Sequence, residues 1–201
     1  MRRLCLLFLC LPTLSLAQDF PALHSVTGVA SDDVLNIRSV PSGSSEIIGT
    51  LAPDQTGVEV LRLDDSGAWG QVNSDEMAGW ASMRFLEATP GGSLPEHGSL
   101  SCGGTEPFWG LDVTQGGEAV FDSPEGGWTL SAGPLIPAGG RPWPWAVIGS
   151  GGDRTMTAVI TPEACSDGMS DREYGLSITV VSQRYGETEV VNGCCLLGGV
   201  R

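Results

Sequence analysis

Glycine and proline recur so densely along this chain that little room is left for a long helix. Its 201 residues include 29 Gly and 13 Pro, about a fifth of the sequence, against roughly an eighth in an average protein. Both residue types interrupt helices and favour tight turns. Because 41% of the residues are hydrophobic, the chain can still bury a core. An all-β protein of short strands is therefore predicted.

Short apolar segments bounded by turn residues predict the strands. In the first half they lie at 25–30, 35–38, 47–51, 58–63, 69–72 and 79–81, a spacing typical of a small antiparallel barrel. In the second half seven segments are predicted, at 111–113, 118–121, 128–130, 145–148, 156–160, 176–181 and 188–191. About 100 residues with this pattern predict an antiparallel barrel or sandwich.

The chain is predicted to comprise an export signal and two domains. Arg2 and Arg3 precede an apolar run and the small residues before Ala17, the order of a secretory signal peptide at 1–17. The run is too short to span a membrane, so no transmembrane segment is expected after cleavage. Residues 89–99 are rich in Gly, Pro and Ser and predict a linker between domains at 18–88 and 100–201.

Four cysteines remain after signal removal: Cys102, Cys165, Cys194 and Cys195. An even number in an exported chain predicts two disulfides rather than a metal site, since no C-x-x-C spacing occurs. Neighbouring strand residues point to opposite faces, so Cys194 and Cys195 are expected to reach different partners. Two pairings with Cys102 and Cys165 satisfy this condition.

The charge excludes one class of partner. The chain has 24 acidic and 10 basic residues, a formal net charge of −14, and every basic residue is arginine. Nucleic-acid binding needs basic contacts to phosphate, so no nucleic-acid partner is expected.

The first domain resembles the bacterial Src-homology-3 family. The motifs that carry the resemblance are LNIRS (35–39), PS (41–42), IG (48–49), WGQV (69–72), GW (79–80) and FL (85–86). They occur in the family's order, with Val40 at a position where glycine is usual. The resemblance implies an SH3-like barrel that binds cell wall or a peptide partner.

Two tryptophans and an arginine are the candidate ligand residues of this domain. Trp69 and Trp80 fit either an aromatic ligand groove or the core, and core packing is the expectation for so small a barrel. Arg38 fits either a ligand carboxylate or an ion pair with Asp32 or Asp33.

The second domain resembles an uncharacterised domain of exported proteobacterial proteins. Its motifs are CGGTEPFW (102–109), CSDGMSD (165–171) and GCC (193–195). The resemblance implies a periplasmic setting and a small β-barrel, without an assigned activity. Because the cysteines at 102 and 165 must both approach the adjacent pair at 194–195, the first two motifs are expected to meet at one rim.

Candidate ligand residues at this rim are Glu106, Trp109, Asp167 and Asp171. Two of the carboxylates could act as acid and base, although Asp167 followed by glycine is also a turn signal, with Asp171 capping it. Histidine catalysis is not expected, because the only two histidines, His24 and His97, lie near the N-terminus and in the linker, where solvation is the simplest role.

Together these features predict an exported, non-enzymatic envelope protein, periplasmic or secreted, that binds peptidoglycan or a periplasmic protein and needs no metal or cofactor. Two alternatives stay open: a carboxylate-based hydrolase in the second domain, using Glu106 and Asp167, and a structural or assembly protein.

Overall fold

A computed structural model describes residues 20–198. The predicted signal peptide at 1–17 lies outside this range. The described chain is all-β, with one short 3-10 turn at Met83–Phe85, so the predicted fold class is confirmed. Between residues 20 and 198 no helix is long and apolar enough to cross a bilayer.

The first barrel is built from two small antiparallel sheets around one apolar core. Its strands are β1 (Ala22–Val26), β2 (Leu35–Arg38), β3 (Ile47–Leu51), β4 (Val58–Val60), β5 (Trp69–Ser74), β6 (Met77–Ser82) and β7 (Leu86–Ser93). The sheet orders are β4-β1-β7 and β3-β2-β6-β5. Alternate residues of each strand point inward, and Ile37, Val60 and Val72 are at most 1% exposed.

The second barrel is a single closed sheet. Its strands are β8 (Ser99–Thr105), β9 (Phe108–Thr114), β10 (Glu118–Ser123), β11 (Gly126–Ala132), β12 (Ile136–Pro137), β13 (Trp145–Gly151), β14 (Arg154–Cys165), β15 (Tyr174–Arg184) and β16 (Glu187–Leu197). The order runs β11-β10-β9-β8-β16-β15-β14-β13, and pairing of β11 with β13 closes the ring. The short β12 adds to the outside of β13. The structure therefore selects the barrel over the sandwich.

One barrel strand was missing from the seven predicted for this half. β8 carries the residues SLSCGGT, which lack an alternating apolar pattern because glycine and serine fill most positions. Pairing with β9 and β16 specifies this strand, and such long-range pairing leaves no local signal in the sequence. β8 is the strand that brings Cys102 opposite Cys195.

The segment predicted as a linker, 89–99, carries secondary structure. β7 continues to Ser93, which pairs with Ala22, and β8 begins at Ser99. Between them Leu94 is 4% exposed and belongs to the core of the second barrel, against which Leu23 of the first barrel also packs. The division into domains at the predicted boundaries stays a prediction.

Polar contacts also join the two barrels. The Asn73 side-chain amide donates to the Glu173 carbonyl over 2.8 Å and accepts from the Glu173 N–H over 3.1 Å. The Ala78 N–H donates to the Asp171 carbonyl over 2.9 Å, next to a parallel bridge between Met77 and Asp171. The loop after Cys165 thus hydrogen-bonds to β5 and β6 of the first barrel.

Glu59 of β4 lies at the same junction. Its Oε1 accepts a 3.2 Å hydrogen bond from the Leu197 N–H. Removal of the carboxyl from water between the barrels raises the pKa of Glu59 to about 8, although this hydrogen bond and the positive charge of Arg172 act in the opposite direction. The carboxyl is therefore mostly protonated at neutral pH.

Replacing Glu59 with glutamine tests this assignment. From pH 4.5 to about 8 the folded protein keeps a proton on Glu59 that the unfolded chain has released, so stability falls as pH rises through this window. Glu59→Gln keeps the acceptor for Leu197 and cannot ionise. We expect a melting temperature near wild type at pH 4.5 and clearly above it at pH 9.

Thermal unfolding of wild type and variant at pH 4.5, 7 and 9 measures the difference. Glu87→Gln, which changes an exposed carboxylate of β7, is the matched control and should follow wild type throughout. A Glu59→Gln variant that also follows wild type at every pH would contradict the raised pKa.

Candidate functional site

Two disulfides organise the rim of the second barrel. Cys195 and Cys102 lie directly opposite each other on β16 and β8, with Cα atoms 4.0 Å apart, and are bonded. Cys194 faces the other side of the sheet and is bonded to Cys165, with Cα atoms 5.7 Å apart. The expectation of two different partners is confirmed, and the structure selects one of the two pairings left open.

The two cysteine-anchored motifs meet beside these disulfides. The Thr105 hydroxyl donates to the Asp167 carbonyl over 2.8 Å. Glu106, Asp167 and Met169 line one surface depression of about 350 Å³, which Gly193 also lines. The structure thus brings Glu106 and Asp167 together, as the sequence predicts.

Asp167 holds a turn. Its Oδ1 accepts from the N–H groups of Met169 and Ser170, both over 2.9 Å, and its Oδ2 accepts from the hydroxyls of Ser170 and Tyr174. Gly168 adopts a φ of 71° within this turn. Desolvation alone would raise the pKa of Asp167, but these hydrogen bonds outweigh it and lower the pKa to about 2. Such a carboxylate is a poor proton carrier at neutral pH.

Trp109 is a packing residue of the same corner. Its side chain is 6% exposed and belongs to the second core. Its indole lies against two glycines: a Cβ on Gly193 would meet the Trp109 ring at 2.8 Å and overlap the Gly103 carbonyl, and a Cβ on Gly104 would overlap the indole nitrogen. Gly104 of the CGGTEPFW motif and Gly193 of the GCC motif therefore make room for this tryptophan.

Asp171 lies apart from this depression. It is exposed, and its backbone carbonyl bonds to β6 of the first barrel. Asp167, not Asp171, caps the turn. The corner thus holds Glu106, Asp167 and Met169 at its surface, Trp109 beneath it, and Asp171 at the junction between the barrels.

The expectation that the histidines are solvated is wrong for His24. The alternation of β1 places Ala22, His24 and Val26 on its buried side, and His24 is 0% exposed. The pKa of His24 lies below its ordinary value, because desolvation outweighs the opposite effect of the hydrogen bond between its Nδ1 and the Ala22 carbonyl. This histidine is a core residue.

The tryptophans of the first barrel lie on its outer face. Register places Trp69 opposite Ser82 and Gln71 opposite Trp80, so all four side chains share one face of the sheet. The alternate residues Val72 and Ala81 fill the core and are at most 1% exposed. Trp69 and Trp80 are half-buried and outside that core, which corrects the core-packing expectation.

Trp69 lines a cleft of about 530 Å³, the largest depression described on the first barrel. The residues around it that combine aromatic and polar character are Trp69, Phe85, Asp33, Asn36 and Arg38. The Arg38 guanidinium donates to the Ser45 carbonyl over 2.6 Å, and the one ion pair within residues 20–198 joins Arg184 to Asp153. Of the two roles left open for Arg38, the ion pair with Asp32 or Asp33 is therefore not formed.

Trp80 has an intramolecular partner. The Arg62 guanidinium carbon lies 5.1 Å from the centre of the Trp80 ring, and the Arg62 Nε donates to the Gln71 side chain over 2.8 Å. A cation already covers this ring. Of the two tryptophans, Trp69 is the one that faces the cleft. The sequence did not identify Phe85 as a cleft residue, although Phe85 belongs to the FL motif (85–86) of the SH3 resemblance.

Residues 33–87 match the family model described as a bacterial SH3 domain. The match runs from the residues before β2 to the start of β7 and includes the whole outer face that bears Trp69. No curated protein and no solved structure shows significant similarity to the chain. Within residues 20–198 no group of three or more His, Cys, Asp or Glu is arranged to hold a metal ion.

The packing of Trp109 on glycine predicts the effect of a methyl group. Gly193→Ala would push a Cβ into the Gly103 carbonyl and the Trp109 ring, so we expect a loss of about 1–3 kcal/mol in the free energy of unfolding. Gly139→Ala is the matched control, because nothing lies within 4 Å of that position. Denaturant unfolding of both variants measures the difference, and equal stabilities would contradict the packing.

The turn at Asp167 predicts a structural phenotype rather than a catalytic one. Asp167→Ala removes the acceptors of four hydrogen bonds at a largely solvated site, so we expect about 1 kcal/mol of destabilisation. The pKa of Asp167 lies below its ordinary value of 3.8, so this contribution is present above pH 4 and is lost as pH falls toward 2. Unfolding at pH 3 and pH 7 measures it.

Glu106→Ala is the control for the turn, since Glu106 is exposed on the same depression. It should leave stability unchanged at both pH values. An Asp167→Ala variant as stable as wild type at pH 7 would overturn the structural role of this carboxylate.

Proposed function

Because residues 33–87 form a bacterial SH3 domain, we propose that this protein is an exported, non-enzymatic binding protein of the bacterial envelope. Its ligand is the peptide part of the cell wall, bound in the cleft beside Trp69. The observation that carries the proposal is the cleft itself, which joins aromatic and charged side chains on one barrel.

The lining of the cleft suits a short peptide with charged groups. Trp69 and Phe85 offer apolar surface to aliphatic carbons. Arg38 is held at the wall through one nitrogen by Ser45 and has further N–H donors for a carboxylate. Asp33, which lines the same cleft, can accept hydrogen bonds from an amine. Peptide stems of the cell wall present both kinds of group.

The net charge of the chain further restricts which part of the cell wall can be bound. With a net charge of −14, the chain repels anionic wall polymers at long range. Peptides that carry both an amine and a carboxylate avoid most of this repulsion. Zwitterionic peptide is therefore favoured over anionic polymer as the part of the wall that is bound.

The disulfides support export. Cys102–Cys195 and Cys165–Cys194 close intervals of 93 and 29 residues, and bonds of this kind persist in oxidising compartments. This agrees with the predicted signal peptide and with a periplasmic or secreted location.

The geometry at Asp167 favours binding over hydrolysis. A carboxylate pair acting as acid and base needs one member that is protonated near neutral pH. The pKa of Asp167 is about 2, and its oxygens are engaged by Met169, Ser170 and Tyr174. Asp167 is therefore unsuited to be the acid of such a pair, and its four hydrogen bonds also make it a weak base.

Truncation of Trp69 tests the proposed cleft. In a sedimentation assay with purified peptidoglycan sacculi, the disulfide-bonded protein should pellet with the sacculi. Trp69→Ala should bind roughly thirty-fold more weakly, the effect of losing about 2 kcal/mol at an aromatic anchor, and Trp69→Phe should fall between. Trp143→Ala, at a tryptophan of the second barrel that is 44% exposed, is the matched control.

Melting temperatures of all variants separate lost binding from lost folding. Binding of Trp69→Ala at the wild-type level would move the ligand away from this cleft. Failure of the wild-type protein to pellet with sacculi would overturn the cell-wall ligand, and capture of a peptide from a periplasmic protein through Trp69 would leave the cleft as a protein-binding site.

A further inference from the structure

One end of the second barrel opens into a small cavity that the cleft of the first barrel does not involve. The cavity measures about 160 Å³, and its principal lining residues are Phe108, Trp109, Phe121, Glu125, Glu189 and Val191. We call it the aromatic mouth. It lies where β9 and β16 begin and β10 ends. Mouths of β-barrels are common positions for ligand sites.

Stacked rings form the inner wall of the aromatic mouth. The Trp109 and Phe121 ring centres are 5.9 Å apart with 12° between planes, and Phe121 and Trp128 are 4.7 Å apart with 4° between planes. At the far end of this stack the Arg154 guanidinium carbon lies 5.4 Å from the centre of the Trp128 ring. The stack already binds one cation of the chain at the end away from the cavity.

The cavity has two carboxylates and no cation. Glu125 and Glu189 both line it and both are exposed. Since the one ion pair of the described chain joins Arg184 to Asp153, neither glutamate has an ion-pair partner there. Aromatic rings and carboxylates around one opening are complementary to an organic cation.

The size of the cavity and its surroundings indicate what carries the cation. Pockets for drug-sized ligands measure about 300 Å³ or more, so a cavity of about 160 Å³ suits one side chain. The large apolar side chain of Phe108, which lines this cavity, is 56% exposed to solvent. Such a residue at a pocket is typical of a protein-binding surface.

We propose that the aromatic mouth binds a lysine or arginine side chain presented by a partner protein. The alkyl part of that side chain packs against Phe108, Phe121 and Val191. Its charged end lies between the carboxylates of Glu125 and Glu189. This site is independent of the cleft at Trp69, because its residues belong to the other barrel.

Blocked pentapeptides of sequence Gly-Ser-X-Ser-Gly test the proposal on the full disulfide-bonded chain. With X as lysine or arginine we expect saturable NMR shifts of the Trp109 indole N–H and of backbone amides near Glu125 and Glu189. Norleucine and glutamate peptides should bind at least roughly tenfold more weakly, because they lack the cation or reverse the charge. Lysine and norleucine peptides shifting these signals equally would overturn the proposal.

Variants separate the site from the general acidity of the chain. Glu125→Gln with Glu189→Gln should lower affinity for the lysine peptide roughly tenfold, as loss of both charges predicts. The matched control, Glu87→Gln with Glu118→Gln, changes the net charge equally at exposed positions away from the cavity. Equal losses in the two double variants would overturn the site.

Two further measurements test the role of Phe108 and whether the cation must be presented by a protein. Phe108→Ala, at a side chain 56% exposed, should weaken the lysine peptide while the melting temperature stays at the wild-type value. Free n-butylammonium should bind more weakly than the lysine peptide, because it cannot contact the surface around the cavity. Equal affinity would overturn the protein partner, since the cavity would then be a small-amine site.

Discussion

The position of two adjacent cysteines on one strand constrains the rest of this structure. Successive residues of β16 face opposite sides of the sheet, so Cys195 is directed to Cys102 on β8 and Cys194 to Cys165 at the end of β14. The Cys102–Cys195 bond attaches β8, the strand without an alternating apolar pattern, to β16 of the barrel. The Cys165–Cys194 bond fixes the point at which the loop after Cys165 leaves the barrel. In the chain-entropy picture, loops of 29 and 93 residues correspond to about 3–5 kcal/mol of stabilisation each.

That loop connects the second barrel to the first. Asp167 closes its turn, and the backbone groups of Asp171 and Glu173 then bond to Ala78 and Asn73 of the first barrel. A motif that looks catalytic in the sequence thus serves to hold two barrels together. Asp167 accepts the hydrogen bonds that close the turn. The backbone groups of Asp171 and Glu173 form the hydrogen bonds at the junction between the barrels, where Glu59 is removed from water.

The two proposed binding surfaces share one chemistry on different barrels. Each places aromatic side chains beside charged ones, Trp69 with Arg38 and Asp33 in the cleft, and Phe108 with Glu125 and Glu189 at the mouth. In both places an arginine of the chain already covers a neighbouring ring, Arg62 on Trp80 and Arg154 on Trp128. Among the rings of the cleft and the mouth, Trp69 and Phe108 are exposed to solvent in part and have no arginine of the described chain over them.

The sequence by itself determined the all-β class, most strand positions, the SH3 resemblance and the set of possible disulfide partners, because turn residues, alternation and cysteine spacing are local signals. Tertiary structure alone decided the rest. Register turned Trp69 and Trp80 outward, although their size and apolarity are equally compatible with a core. Pairing made β8 a strand without an alternating pattern and selected Cys102–Cys195. Packing buried His24 and placed Glu59 between the barrels, because burial depends on which surfaces meet, and no single segment encodes that.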